Sequence, residues 1–188
     1  MSLLPTAAQA LLELRFVTPP ALPALPTLTL NGRTQSTTTA MTGFSVEDLR
    51  LLKAGWNLTA QGQTGAGRSP TFAPYCPKAK CGLAVEGYVP EGQGLPAGSL
   101  TLNSSGASFT GGLATAPVLE CSSGCPLDSA TPVKVASDAT GLLAGEGIWT
   151  AGGFSPTSLT LSTPPTLRTL PNEEVYRANI LWTLSTGP

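Results

Sequence analysis

Apolar and polar positions alternate with a period of two along most of the chain, which predicts strands rather than helices. Leu12, Leu14 and Phe16 alternate with Glu13 and Arg15, giving a first strand. Prolines space residues 22–26, so this stretch reads as an extended link that cannot be helical. Leu28 and Leu30 alternate with threonines and run into Asn31-Gly32, a hairpin signal. Residues 33–41 read as a polar, Thr-rich strand, either solvent-facing or at an edge. Spacing is mixed over residues 46–52, where the flanking Thr and Gly favour strand and turn over a helical turn. Ala54, Trp56, Leu58 and Ala60 then share one face of a clear strand. Shorter strands are expected at 83–89, 99–103, 107–110, 132–136, 147–151 and 158–162. The last strand shows the cleanest pattern: Tyr176, Ala178, Ile180, Trp182 and Leu184 fall on one face of residues 175–184. At roughly 33 Å it is long enough to expect at the centre of a sheet. Together these elements predict an all-β, Ig-like antiparallel β-sandwich with long loops. One domain is expected over residues 11–188, with a loop-rich, disulfide-bearing insertion at about 61–98.

Composition sharpens this picture by exclusion. Hydrophobic residues make up 41% of the 188, enough to fold, while charged residues are only 11%. The average soluble domain carries roughly 25%, so Thr, Ser, Asn and Gln must supply the polar surface. The net charge is -1, and only Lys78-Ala79-Lys80 brings two basic groups close together. That is not the basic stripe phosphates require, so nucleic acid is excluded as a partner. There is no histidine, which removes Ser-His-Asp and Cys-His catalysis and imidazole metal ligation.

Four cysteines fall in two close pairs, Cys76 with Cys81 and Cys121 with Cys125, each among Gly and Pro. Four cysteines allow three connectivities, and spacing does not choose among them. A bridge within each pair would staple a loop tip. The rival is a four-thiolate zinc site, although neither spacing is the usual two-residue knuckle. Disulfides imply an extracytoplasmic setting. No apolar run reaches the ~20 residues of a membrane-spanning helix. Residues 1–10 end in Ala8-Gln9-Ala10, a small-x-small pattern without the charged and apolar regions of an export signal before it, and read either as the remnant of such a signal or as a chance match.

The carboxylates make no recognisable catalytic motif. Glu47-Asp48 and Glu173-Glu174 are adjacent pairs, and successive strand residues point to opposite faces. Neither pair can flank one glycosidic bond. Gly65-Ala66-Gly67-Arg68 lacks the Lys-Ser/Thr of a phosphate loop. The chain is therefore expected to be no enzyme, with no catalytic residues, no metal and no cofactor.

Two segments carry a family likeness. Gly55-Trp56-Asn57-Leu58-Thr59 and Ile180-Leu181-Trp182-Thr183-Leu184-Ser185 are Trp-x-Leu strands that resemble those of the WxL-domain family of bacterial cell-surface proteins. Val46-Glu47-Asp48-Leu49-Arg50 leading into Ala54-Gly55-Trp56, and Gly147-Ile148-Trp149, are similar to the same family's order. The chain departs from the family in its cysteine loops and in Asn172-Glu173-Glu174-Val175 before the last strand. The resemblance implies a secreted module on the cell surface, attached non-covalently to cell-wall peptidoglycan or to sister surface proteins.

Within that reading Trp56 and Trp182, with Leu58 and Leu184, are core anchors expected side by side between two sheets. Trp149, beside Gly147 and Gly152-Gly153, is a candidate partner contact, as are Tyr75 and Tyr88 around the first cysteine loop. A rival reading makes the chain a filament or pilus subunit. In it Leu12, Leu14 and Phe16, on a strand tethered by Pro19, Pro20, Pro23 and Pro26, pair with a neighbouring copy head-to-tail.

Overall fold

The alternation resolves into fifteen strands and no helix among the described residues of a computed structural model. Those residues are 13–50, 54–77, 81, 85–90, 92–113, 115–139, 146–171 and 173–187. The N-terminal strands are β1 (Leu14–Thr18), β2 (Gln35–Thr39), β3 (Phe44–Asp48), β4 (Trp56–Gly62) and β5 (Ala73–Cys76). They are followed by β6 (Gly87–Tyr88), β7 (Leu100–Leu102), β8 (Ser108–Gly111), β9 (Val118–Leu119) and β10 (Cys125–Pro126). The chain closes with β11 (Val133–Asp138), β12 (Gly147–Gly152), β13 (Leu159–Thr163), β14 (Val175–Arg177) and β15 (Ile180–Thr186).

All pairings are antiparallel. Three four-stranded sheets have the orders β1-β3-β12-β8, β10-β7-β13-β2 and β15-β4-β11-β9. The fourth, β14-β5-β6, has three strands. Between the first and third sheets, β1 touches β15 and β8 touches β9, so the layers meet at both margins. This is the all-β, sandwich-type architecture the period-two pattern demands.

One core joins the layers. Phe44, Val46, Trp149 and Ala151 enter it from the first sheet, and Trp56, Leu58 and Ala60 from the third. Leu100, Leu102 and Leu159 enter from the second. Trp56 meets Phe109 edge-on, with centroids 6.1 Å apart, and Phe44 meets Phe109 at 5.8 Å. Strand β4 shows the expected alternation, with Trp56, Leu58, Ala60 and Gly62 buried and Asn57, Thr59 and Gln61 half-buried. Gly62 is required there, because a Cβ would lie 2.1 Å from the Pro70 carbonyl oxygen.

The final strand differs from expectation. Residues 175–184 form two strands in two sheets, not one, and β15 lies at the edge of its sheet. Asn179 marks the break. Its carbonyl accepts from Gln63 (2.7 Å), opposite it in the β4–β15 register, but its N–H leaves both ladders and donates to the Ser69 carbonyl (2.8 Å). Alternation continued through the break because both pieces bury the same parity of residue.

Leu28 and Leu30 also form no strand. Asn31 and Gly32 do turn the chain, Gly32 at a φ of 72°. Side chains take the place of a ladder: Gln35 donates to the Thr29 carbonyl, and the Asn31 side chain accepts from Arg33. Residues 33–41 supply β2, which lies at a sheet edge, one of the two places expected. The strand expected at 83–89 is reduced to Gly87–Tyr88, with residues 82–84 outside the described set.

Candidate functional site

The two Trp-x-Leu segments are hydrogen-bonded neighbours. In the β15–β4 ladder Trp182 pairs with Ala60, Leu184 with Leu58, and Thr186 with Trp56. The expectation of two adjacent indoles is therefore corrected. When two Trp-x-Leu motifs run antiparallel with leucine facing leucine, the tryptophans must sit at opposite ends. Four residues of register separate them, roughly 13 Å along the strands. Trp56 is fully buried, while Trp182 is half-buried and packs on the rim of the core.

Opposite parity gives this pair a second face. Thr183, Thr59 and Lys134 form one row across β15, β4 and β11, and Ser185, Asn57 and Ser137 form the next. Leu181, beside Gln61, is exposed at the end of the face. Hydroxyl and amide groups dominate it, with one cation.

Trp149 is corrected as a partner contact. It is buried on the inner face of β12, an internal strand. Its indole lies over Gly112, where a Cβ would come within 2.1 Å of two ring carbons. The close packing is permitted by Gly112, and the glycines flanking Trp149 do not mark a frayed strand end.

Tyr75 and Tyr88 turn towards each other. Their rings meet edge-on at 5.1 Å, and the Arg177 guanidinium stands 4.3 Å over the Tyr75 ring. The Tyr75 hydroxyl donates to Glu86, which also pairs with Arg177 at 3.7 Å. That hydrogen bond, ahead of burial, raises the Tyr75 pKa above its ordinary value. Tyr88 donates to the Asn179 side chain at 2.6 Å. Tyr75 is buried and Tyr88 half-buried. Their polar ends are used internally to seat the short β14-β5-β6 sheet, which corrects Tyr75 as an outward-facing contact.

The cysteines resolve into the two local pairs. Cys76 bonds Cys81 and Cys121 bonds Cys125, with Cα separations of 5.6 and 5.2 Å, within the usual disulfide range. The second bridge does more than staple a tip. Cys121 is buried in the main core, and the bridge ties it to β10.

On the N-terminal arm, β1 pairs with β3 of its own chain, Leu14 opposite Asp48, Arg15 opposite Glu47 and Phe16 opposite Val46. Leu14 and Phe16 pack partly buried on the core. Leu12 lies outside the described residues. Arg15 Nε is 2.6 Å from a Glu47 carboxylate oxygen.

The burial of four carboxylates, on Glu47, Asp48, Asp128 and Asp138, escaped the sequence reading. Asp48 is held by the Arg50 guanidinium through Nε (2.8 Å) and a terminal nitrogen (2.7 Å). Arg50 also donates to the Gly55 carbonyl at 2.8 Å, fixing the residue just before β4. The Asp48 hydrogen bonds raise the Arg50 pKa further above its ordinary value. A carboxylate two residues before an arginine was the available signal.

Asp128 is fully buried and accepts the Leu100 N–H at 2.9 Å. Burial, outweighing its backbone hydrogen bonds, pushes its pKa from 3.8 to about 6. The folded chain thus holds a proton that the unfolded chain releases. The resulting stabilisation is fully present below the unfolded value and is lost as pH rises through about 6. A shift of this size corresponds to about 3 kcal/mol. Asp128→Asn should abolish the dependence and raise stability at alkaline pH. Urea titrations at about pH 4.5 and about pH 8 would check this. Equal pH dependence in both proteins would exclude Asp128 as its source.

Among the described residues no group of three or more metal-ligating side chains comes together, and no helix is long and apolar enough to cross a membrane. No family model, curated protein or solved structure matches this chain.

Proposed function

We propose that the chain is a non-enzymatic extracellular surface module of the WxL type, with an Ig-like sandwich. It attaches non-covalently to bacterial cell-wall peptidoglycan or to sister surface proteins. The observation supporting this reading is the ladder between β4 and β15, which unites the two Trp-x-Leu segments with Leu58 opposite Leu184. Two motifs 126 residues apart, counting from Trp56 to Trp182, become one structural unit. Two disulfides accord with an oxidising, extracytoplasmic setting. The ligand meets the outer face of that unit, where Thr59, Thr183 and Ser185 offer hydrogen bonds to the hydroxyls and amides of a wall polymer.

A co-sedimentation assay with purified peptidoglycan tests this. The wild type should be retained well above an unrelated β-sandwich, and a Thr183→Glu variant, which places one charge on the exposed edge strand, should lose retention while keeping its melting temperature. Retention no better than the control overturns attachment to the wall.

A filament subunit is the second reading, and one observation favours it. Strand β1 sits at a sheet edge, ahead of a segment carrying four prolines over residues 19–26 that forms no strand. An arm of this kind suits strand addition between copies.

A further inference from the structure

We propose that β1 is exchanged between copies of this chain, the acceptor being the exposed edge that its departure leaves on β3. This rests on the filament reading and names the partner segment and its seat.

Strand β1 is the terminal strand of its sheet and is hydrogen-bonded along one side, to β3. Its ladder is already interrupted. Register shifts between Phe16 and Thr18, and the unpaired Val17 is 48% exposed. Such a bulge weakens the pairing. Downstream, Pro20 is buried and Leu22 and Leu25 are packed against the core, so the part free to leave ends before Pro20. The joint is the exposed Thr18-Pro19 step. Pro19 has no N–H donor, so no ladder bond is lost there when the arm swings out.

The acceptor is incomplete without a β1 strand from some source. All five residues of β3 are buried, including Glu47 at 7% exposure. Removing β1 uncovers the β3 backbone edge and takes Arg15 from Glu47. An open strand edge with a buried carboxylate calls for a strand with a cation at one register position. The β1 strand of a second copy supplies Arg15 opposite Glu47 and Phe16 opposite Val46 in the same register. Exchange therefore recreates the bonds it breaks, and protein concentration decides which arrangement prevails.

Charge reversal tests this, because a strand that stays at home cannot be rescued from outside. Arg15→Glu and Glu47→Arg should each lower the melting temperature and block assembly. Refolding the two variants together should restore both, because each copy then holds the partner strand the other needs. A mixture that melts as the sum of its two components overturns the proposal. Cross-linking provides a second measurement on a chain carrying Arg15→Cys and Glu47→Cys. When oxidation follows assembly at high concentration, covalent dimers and higher multimers on a non-reducing gel support exchange, and bridged monomers alone overturn it. Wild-type filaments under the electron microscope alongside bridged monomers alone would end exchange but leave the filament reading standing. Bridged monomers alone and no wild-type filaments would end both.

Discussion

Trp56→Ala is expected to destabilise the fold by about 3–5 kcal/mol, a large part of the roughly 5–15 kcal/mol that holds a typical domain together. Trp56 is fully buried and reaches across the sandwich to Phe109. Truncation would leave a cavity bounded by rigid strands on both sides, where collapse is difficult. Its indole N–H has no hydrogen-bond partner among the described residues, so the expected loss is one of packing. Trp56→Phe should for that reason recover much of it. Trp182→Ala should cost less, about 1–2 kcal/mol, because Trp182 is half-buried at the rim, opposite Ala60. Urea unfolding monitored by far-UV circular dichroism would separate the three. Equal losses at positions 56 and 182 would contradict the four-residue offset between the indoles.

Arg50→Ala is expected to cost a similar amount, about 3–5 kcal/mol, because it takes the cation from a carboxylate that cannot reach water. Asp48 is 1% exposed, and the Arg50 side chain only 14%. The same guanidinium binds the Gly55 carbonyl, so the variant also releases the residue preceding Trp56. Arg50→Lys keeps the charge but not the planar fork, and should recover part of the stability. Thermal melts of the two variants would test this ordering. A lysine variant no better than alanine would mean that the fork geometry, not the charge, carries the effect. An alanine variant as stable as the wild type would refute the clamp.

Half of the architecture was legible because strand periodicity is local. The alternation of Trp56, Leu58 and Ala60 predicted β4 and its buried face, since every second side chain on a strand must point the same way. Residues 147–151 and 158–162 were recognisable as strands on the same ground. Periodicity cannot register a backbone whose bonds go elsewhere, and so the break at Asn179 went unseen. Nor can it separate a glycine that frays a strand end from one that lets an indole lie against it. Gly112 does the latter for Trp149, but the two are 37 positions apart in the chain.

The candidate site divides in the same way. Both Trp-x-Leu segments, the local cysteine pairs and the N-terminal arm could be named from the chain alone, because each is a short run of residues. Their relation could not. Ladder register aligns Leu58 with Leu184 and so sends the tryptophans to opposite ends, and register depends on which strands meet. Asp128 and Asp48 show why buried charge is hardest to foresee. A carboxylate looks the same in any hydrophilic stretch, and only the surrounding layers make it dry.

The sequence by itself determined the secondary-structure class, the excluded chemistries that need histidine, and which faces of β4 and β15 turn inward, because these follow from residue type and a spacing of two. The tertiary structure alone decided strand order, the placing of both indoles, and which carboxylates are cut off from water. Those depend on contacts between segments far apart in the chain, and no local spacing encodes them.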